Sequence, residues 1–116
     1  MGLAKELRNR RNVTSRKIEV QGWADENGKP FVMFAKPITC YDINELQKKH
    51  KTILEAPTVA AMVDMIVLKA EDEGGDKLFT SAEDRIDLMG EQTDVISDVA
   101  NQMFASIIDA ETAEKN

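Results

Sequence analysis

The residue types that carry most chemistry are few in this chain and stand apart from one another. Its only histidine, His50, lies in Lys48-Lys49-His50-Lys51. A general base needs a nucleophile at hand and a metal site needs further ligands, whereas these neighbours supply only cations. His50 is therefore expected to be a satisfied or exposed helix residue. The only cysteine, Cys40, excludes an intramolecular disulfide framework and suits a reducing cytosol.

The acidic glycine run Glu71-Asp72-Glu73-Gly74-Gly75-Asp76 invites a calcium reading, but its spacing fails. With Glu71 as first ligand, Asp76 stands sixth where the loop needs Gly, and Ala82 stands twelfth where it needs Glu. The run is read as a turn. The sequence has no nucleophile with a base, no paired ligand set and no glycine-rich phosphate loop, so a non-enzyme without metal or cofactor is expected. Met1-Gly2 begins like a myristoylation site, yet Glu6 stands where that motif wants Ser or Thr. Asn12-Val13-Thr14 is a chance glycosylation match in a chain with no secretory apolar run at its start.

What remains is the chemistry of surfaces, and it centres on residues 59–70. Ten of these twelve residues are apolar, interrupted only by Asp64 and Lys69. A helix with this composition has no broad polar face, so it must be covered all round by the rest of the chain or by neighbouring copies. It is too short to cross a membrane, which takes about 20 apolar residues.

The other elements follow from periodicity and turn chemistry. Residues 16–24 alternate, with Ile18 and Val20 on one face and Lys17, Glu19 and Gln21 on the other. Asp25-Glu26-Asn27-Gly28-Lys29-Pro30 is a turn, and Phe31-Val32-Met33-Phe34 returns as the second strand. Thr39 and Asp42 open a helix whose pattern runs through Ile43, Leu46, His50, Ile53 and Leu54 to Pro57. Thr58 caps the central helix, and Thr80 with Glu83 opens a short one that Gly90 closes. The stripe Val95, Ile96, Val99, Ala100, Met103, Phe104, Ile107 and Ile108 marks a last helix over about 94–109. The expected fold is α+β and mostly helical, a β-hairpin followed by a small bundle of about four helices. Residues 1–15 read as a flexible basic arm, 16–109 as one globular domain and 110–116 as a flexible tail.

Charge divides the chain. Residues 1–51 hold eleven Lys or Arg against six Asp or Glu, a balance of +5, and residues 52–116 hold four against fifteen, a balance of −11. Either the acidic half is a solubilising surface beside a basic arm, or opposite ends attract between copies. The arm carries Lys5, Arg8, Arg10 and Arg11. Its lack of interleaved aromatics and the acidity of the rest argue against nucleic acid, although a small nucleic-acid-binding regulator stays open as an alternative.

The order of arm, hairpin ending in Phe31-Val32-Met33-Phe34, apolar helix, then Glu71 to Thr80 and Asp84 to Leu88, resembles the tail assembly chaperones of lambda-like phages with long non-contractile tails. The similarity covers most of residues 16–108. It implies a non-enzymatic assembly factor of the host cytoplasm that coats and solubilises the tape measure protein, helps recruit tail tube subunits and is absent from the finished tail. It also implies a longer form made by a translational frameshift. Glu114-Lys115-Asn116 is encodable by the kind of adenine run on which ribosomes slip. A minor structural subunit of the particle is the rival reading. Candidate partner-binding or self-association residues are Met62, Met65, Ile66, Met89, Met103 and Phe104, because methionine adapts to many apolar partners; core packing is the alternative for each. Homo-oligomers are expected.

Overall fold

A computed structural model describes the backbone of residues 2–10 and 15–115 and the side chains of residues 2–9 and 15–104. It is an α+β fold, mostly helical, with a three-stranded antiparallel sheet and five α-helices among the described residues. Strand β1 (Arg16–Val20) pairs with β2 (Phe31–Ala35), placing Ile18 opposite Met33 and Val20 opposite Phe31. The alternation works as expected: Ile18, Val20, Met33 and Ala35 are buried while Lys17 and Glu19 face water. The first strand stops at Val20, four residues short of the expected end, because a 3-10 turn at Gln21–Trp23 redirects the chain. In the connection to β2, Asp25 Oδ1 accepts the backbone N–H groups of Asn27 and Lys29, and Gly28 supplies a φ of 81°.

Two helices start at the expected caps. In α2 (Cys40–Gln47) the Thr39 hydroxyl accepts from Asp42 N–H and Asp42 Oδ2 accepts from Thr39 N–H; in α3 (Val59–Lys69) the Thr58 hydroxyl accepts from Ala61 N–H. The first of these helices ends sooner than its pattern suggests. His50, Ile53 and Leu54 lie in a series of turns closed by bonds such as Ile53 N–H to the His50 carbonyl and Glu55 N–H to that of Thr52. Crowding of Lys48, Lys49 and Lys51 in one turn, and the β-branched pair Thr52-Ile53 ahead of Pro57, disfavour a continued helix. Ile53 still reaches the core.

The central helix is covered by its own chain. It packs against α2, α4 (Ala82–Met89), and α5 (Thr93–Lys115), burying Ala61, Val63, Met65 and Ile66. At Ala70 the backbone turns extended and forms β3 (Ala70–Glu71), which pairs with β2 through Ala35 and Phe34. The hairpin thus gains its third strand from within the chain. A turn follows in which Asp72 Oδ1 accepts the N–H groups of Gly74 and Asp76, with Gly75 at φ 90°. Helix α4 is capped one residue later than expected, by Ser81 and Asp84, because Asp84 Oδ2 collects the N–H groups of both Thr80 and Ser81.

Helix α5 lays Ile96, Val99, Ala100 and Met103 into the core against α3 and β1, as its stripe requires. Its backbone stays helical to Lys115 rather than ending near 109, and Ala110, Glu111, Ala113, Glu114 and Lys115 are good helix formers. At the other end, within the stretch read as a flexible basic arm, residues Leu3–Arg10 form helix α1. Arg11, the Asn12-Val13-Thr14 match and Asn116 lie outside the described residues. Among the described residues no helix is long and apolar enough to cross a membrane.

Candidate functional site

The six residues singled out for partner contact separate by burial. Met65, Ile66 and Met103 are buried in the core of the folded chain, the alternative placement for these three. Met62 and Phe104 are half-buried against that core, with Met62 Sδ 3.8 Å from the Ser97 hydroxyl. Met89, 43% exposed on α4, is the one that reaches the surface. Lys5 and Arg8 are exposed on α1.

The histidine has a partner that its sequence neighbours did not suggest. His50 Nε2 lies 2.7 Å from Asp64 Oδ2, and both side chains are only 13% exposed. On the other side Arg85 Nε donates to Asp64 Oδ1 at 2.6 Å. Burial alone raises the Asp64 carboxyl, but hydrogen bonds from Arg85 and His50, then their charges, outweigh it and hold the group below the ordinary carboxylate range. An ionised carboxylate only accepts, so the His50 Nε2 facing it carries the proton. Lys69 and Asp42 form a second clamp between α3 and α2, at 2.9 Å. With both oxygens of Asp64 engaged, this cluster ties three segments together. Among the described residues no group of three or more His, Cys, Asp or Glu is placed to hold a metal ion.

Two apolar grooves open on the surface. The larger, about 600 Å³, lies between α2 and the turns after it and is lined by Ile38, Thr39, Cys40, Tyr41, Ile43, Asn44, Gln47 and Leu54. None of these eight is charged, and Tyr41 and Leu54 stand 82% and 61% exposed. The smaller, about 410 Å³, is aromatic, formed by Trp23, Phe31 and Phe79 over Leu88, with Asp84, Asp87 and Glu91 at its rim. Trp23 meets the other two rings edge to face, at centroid distances of 6.0 and 6.5 Å. Its indole Nε1–H donates to Glu91 Oε2 at 2.7 Å. The N–H of Gln92 and this indole together keep Glu91 below its ordinary range. The aromatic groove was not visible in the sequence, since it is assembled from residues on separate elements, whereas the larger one is drawn from the single stretch 38–54. A cluster such as Ile38, Tyr41, Ile43 and Leu54, too apolar for a short exposed helix, is the signal that was present. Comparison with protein families, curated proteins and solved structures finds no match to this chain.

Proposed function

We propose that the chain is a phage tail assembly chaperone, which binds and solubilises the tape measure protein in the host cytoplasm, helps recruit tail tube subunits through a frameshift-extended form, and is absent from the finished virion. The observation that carries this reading beyond the resemblance is the uncharged groove beside α2. An open apolar trough with no charged side chain suits the apolar stripe of a client helix, and it sets no single charge pattern that the client must match. Exposed apolar surface of this kind is costly unless a partner covers it.

Co-expression with the tape measure protein tests the reading. The chain should raise the client's soluble yield, and Tyr41→Glu with Leu54→Glu should abolish the effect while leaving the chaperone folded. If the wild-type chain leaves that yield unchanged, the proposal fails. Recovery of the chain from purified virions would instead make it a minor structural subunit.

A further inference from the structure

The aromatic groove joins three rings to three carboxylates. Its walls are Trp23 from the 3-10 turn, Phe31 from the start of β2 and Phe79 from the segment ahead of α4, and its rim is Asp84, Asp87 and Glu91. No Lys or Arg lines it. Trp23 is inclined at 70° to Phe31 and at 66° to Phe79, so the rings stand as walls and do not close into a flat stack. The volume of about 410 Å³ falls toward the lower end of the range for ligand pockets, roughly 300–1,000 Å³.

The rim is anionic and partly free. Asp84 Oδ2 accepts the N–H groups of Thr80 and Ser81, while Glu91 accepts the Gln92 N–H on one oxygen and the Trp23 indole N–H on the other. These bonds hold both carboxyls below their ordinary ranges, hence charged at neutral pH. Among the described residues the Asp87 carboxylate meets no hydrogen-bond donor or cation.

Rings and carboxylates together select an occupant that neither would select alone. An apolar side chain would strip water from the rim without replacing its hydrogen bonds, and an anion would be repelled. A cation satisfies both parts, because the ring faces carry the negative side of the aromatic quadrupole and the rim carries full charges. Guanidinium suits the groove better than ammonium. It is planar and weakly hydrated, so it can lie on a ring while its N–H edge reaches a carboxylate, whereas ammonium holds its water more strongly.

We propose that this groove binds an arginine side chain of a partner protein, its guanidinium lying against Trp23, Phe31 and Phe79 and donating to Asp87 and Glu91. The site shares no lining residue with the uncharged groove beside α2 and takes a different chemistry, so it stands or falls apart from the tape measure reading.

Trp23 is the only tryptophan, and its emission reports on the groove. Titrating the full chain with the peptide acetyl-Gly-Arg-Gly-amide should change that emission saturably, with a dissociation constant in the millimolar range that suits a single anchoring side chain. Replacing the arginine by citrulline, which keeps the shape and loses the charge, should weaken binding at least tenfold, and lysine should weaken it severalfold. Asp87→Asn, at an exposed position, should weaken binding about threefold without touching the core, and Phe31→Leu, also exposed, should weaken it further. The proposal is overturned if the peptide gives no saturable response, if the citrulline peptide binds as tightly as the arginine one, or if both variants leave the affinity unchanged. A chain with Arg8, Arg10 and Arg11 all changed to Gln tests the competing occupant. Unliganded emission equal to that of wild type supports a groove open to a partner, whereas altered emission means that the chain's own arginines fill it and overturns the assignment.

Discussion

Arg85 Nε and Asp64 Oδ1 meet at 2.6 Å across 21 sequence positions, joining α4 to α3, while the other oxygen of the same carboxylate holds His50 at 2.7 Å. Removing the shared partner leaves two donors behind, one of them on a mostly buried histidine. Asp64→Ala should therefore cost about 2 kcal/mol of unfolding free energy. Arg85→Ala should cost less, about 1 kcal/mol, since the Arg85 side chain is 41% exposed and water screens its half of the pair. Urea titrations of the two single variants and the double variant would measure this. Additive losses would mean that the clamp is not a unit.

Acid should unfold the protein through the same groups. Asp64 and Asp42 are pushed up by burial but brought net downward, the first by Arg85 and His50 and the second by the Thr39 N–H and Lys69. Asp84 is lowered chiefly by the N–H groups of Thr80 and Ser81. A carboxylate whose folded value lies below its unfolded one stabilises the fold fully above the unfolded value of about 4, and loses that contribution as pH falls through the folded value. The urea midpoint should hold steady from neutral pH down to about 5 and fall steeply below 4, less steeply in Asp64→Asn. A midpoint that fell already between pH 7 and 5 would point to another group.

The central helix separates internal from surface apolar residues. Ile66 is fully buried, so Ile66→Ala should cost about 3 kcal/mol and Ile66→Asp should unfold the domain. Leu54→Ser, at an exposed position, should stay within about 0.5 kcal/mol of wild type. Circular dichroism and sedimentation of the purified variants decide this. A folded, soluble Ile66→Asp monomer would show that this face is covered by another copy instead.

These contrasts mark what could be read along the chain. The alternation at Ile18 and Val20, the caps at Thr39 and Thr58 and the stripe from Val95 to Met103 are local patterns, and each formed as its spacing required. Strand β3 was hidden because two residues carry no period, and Ala70 looked like one more turn of the apolar helix. The helix over residues 40–54 was overextended because Ile53 reaches the core from a turn and so imitates a helical spacing. His50 meets Asp64 fourteen positions away, and Trp23 meets Phe79 over a still longer separation. Neither meeting has a signature until α3 and α4 are packed. The apolar composition of residues 59–70 announced a covered helix without saying that the cover comes from the same chain.

Gly22 rests so close to α5 that a Cβ placed on it would lie 2.5 Å from Val95 Cγ2 and 3.0 Å from Val95 Cγ1. No methyl group fits at that separation, so either the 3-10 turn or the helix must shift. The turn carries Trp23, and a shift there disturbs the aromatic groove as well as the packing. Gly22→Ala should accordingly cost about 1–3 kcal/mol and alter Trp23 emission. Val95→Ala removes both methyl groups that obstruct the new side chain. The double variant Gly22→Ala, Val95→Ala should then be more stable than the sum of its parts by about 1 kcal/mol, with Trp23 emission returning toward wild type. Equal stability of Gly22→Ala and wild type would show that turn and helix do not approach this closely. A double variant whose losses simply add would show that the cost of the alanine lies in the backbone of the turn and not in Val95.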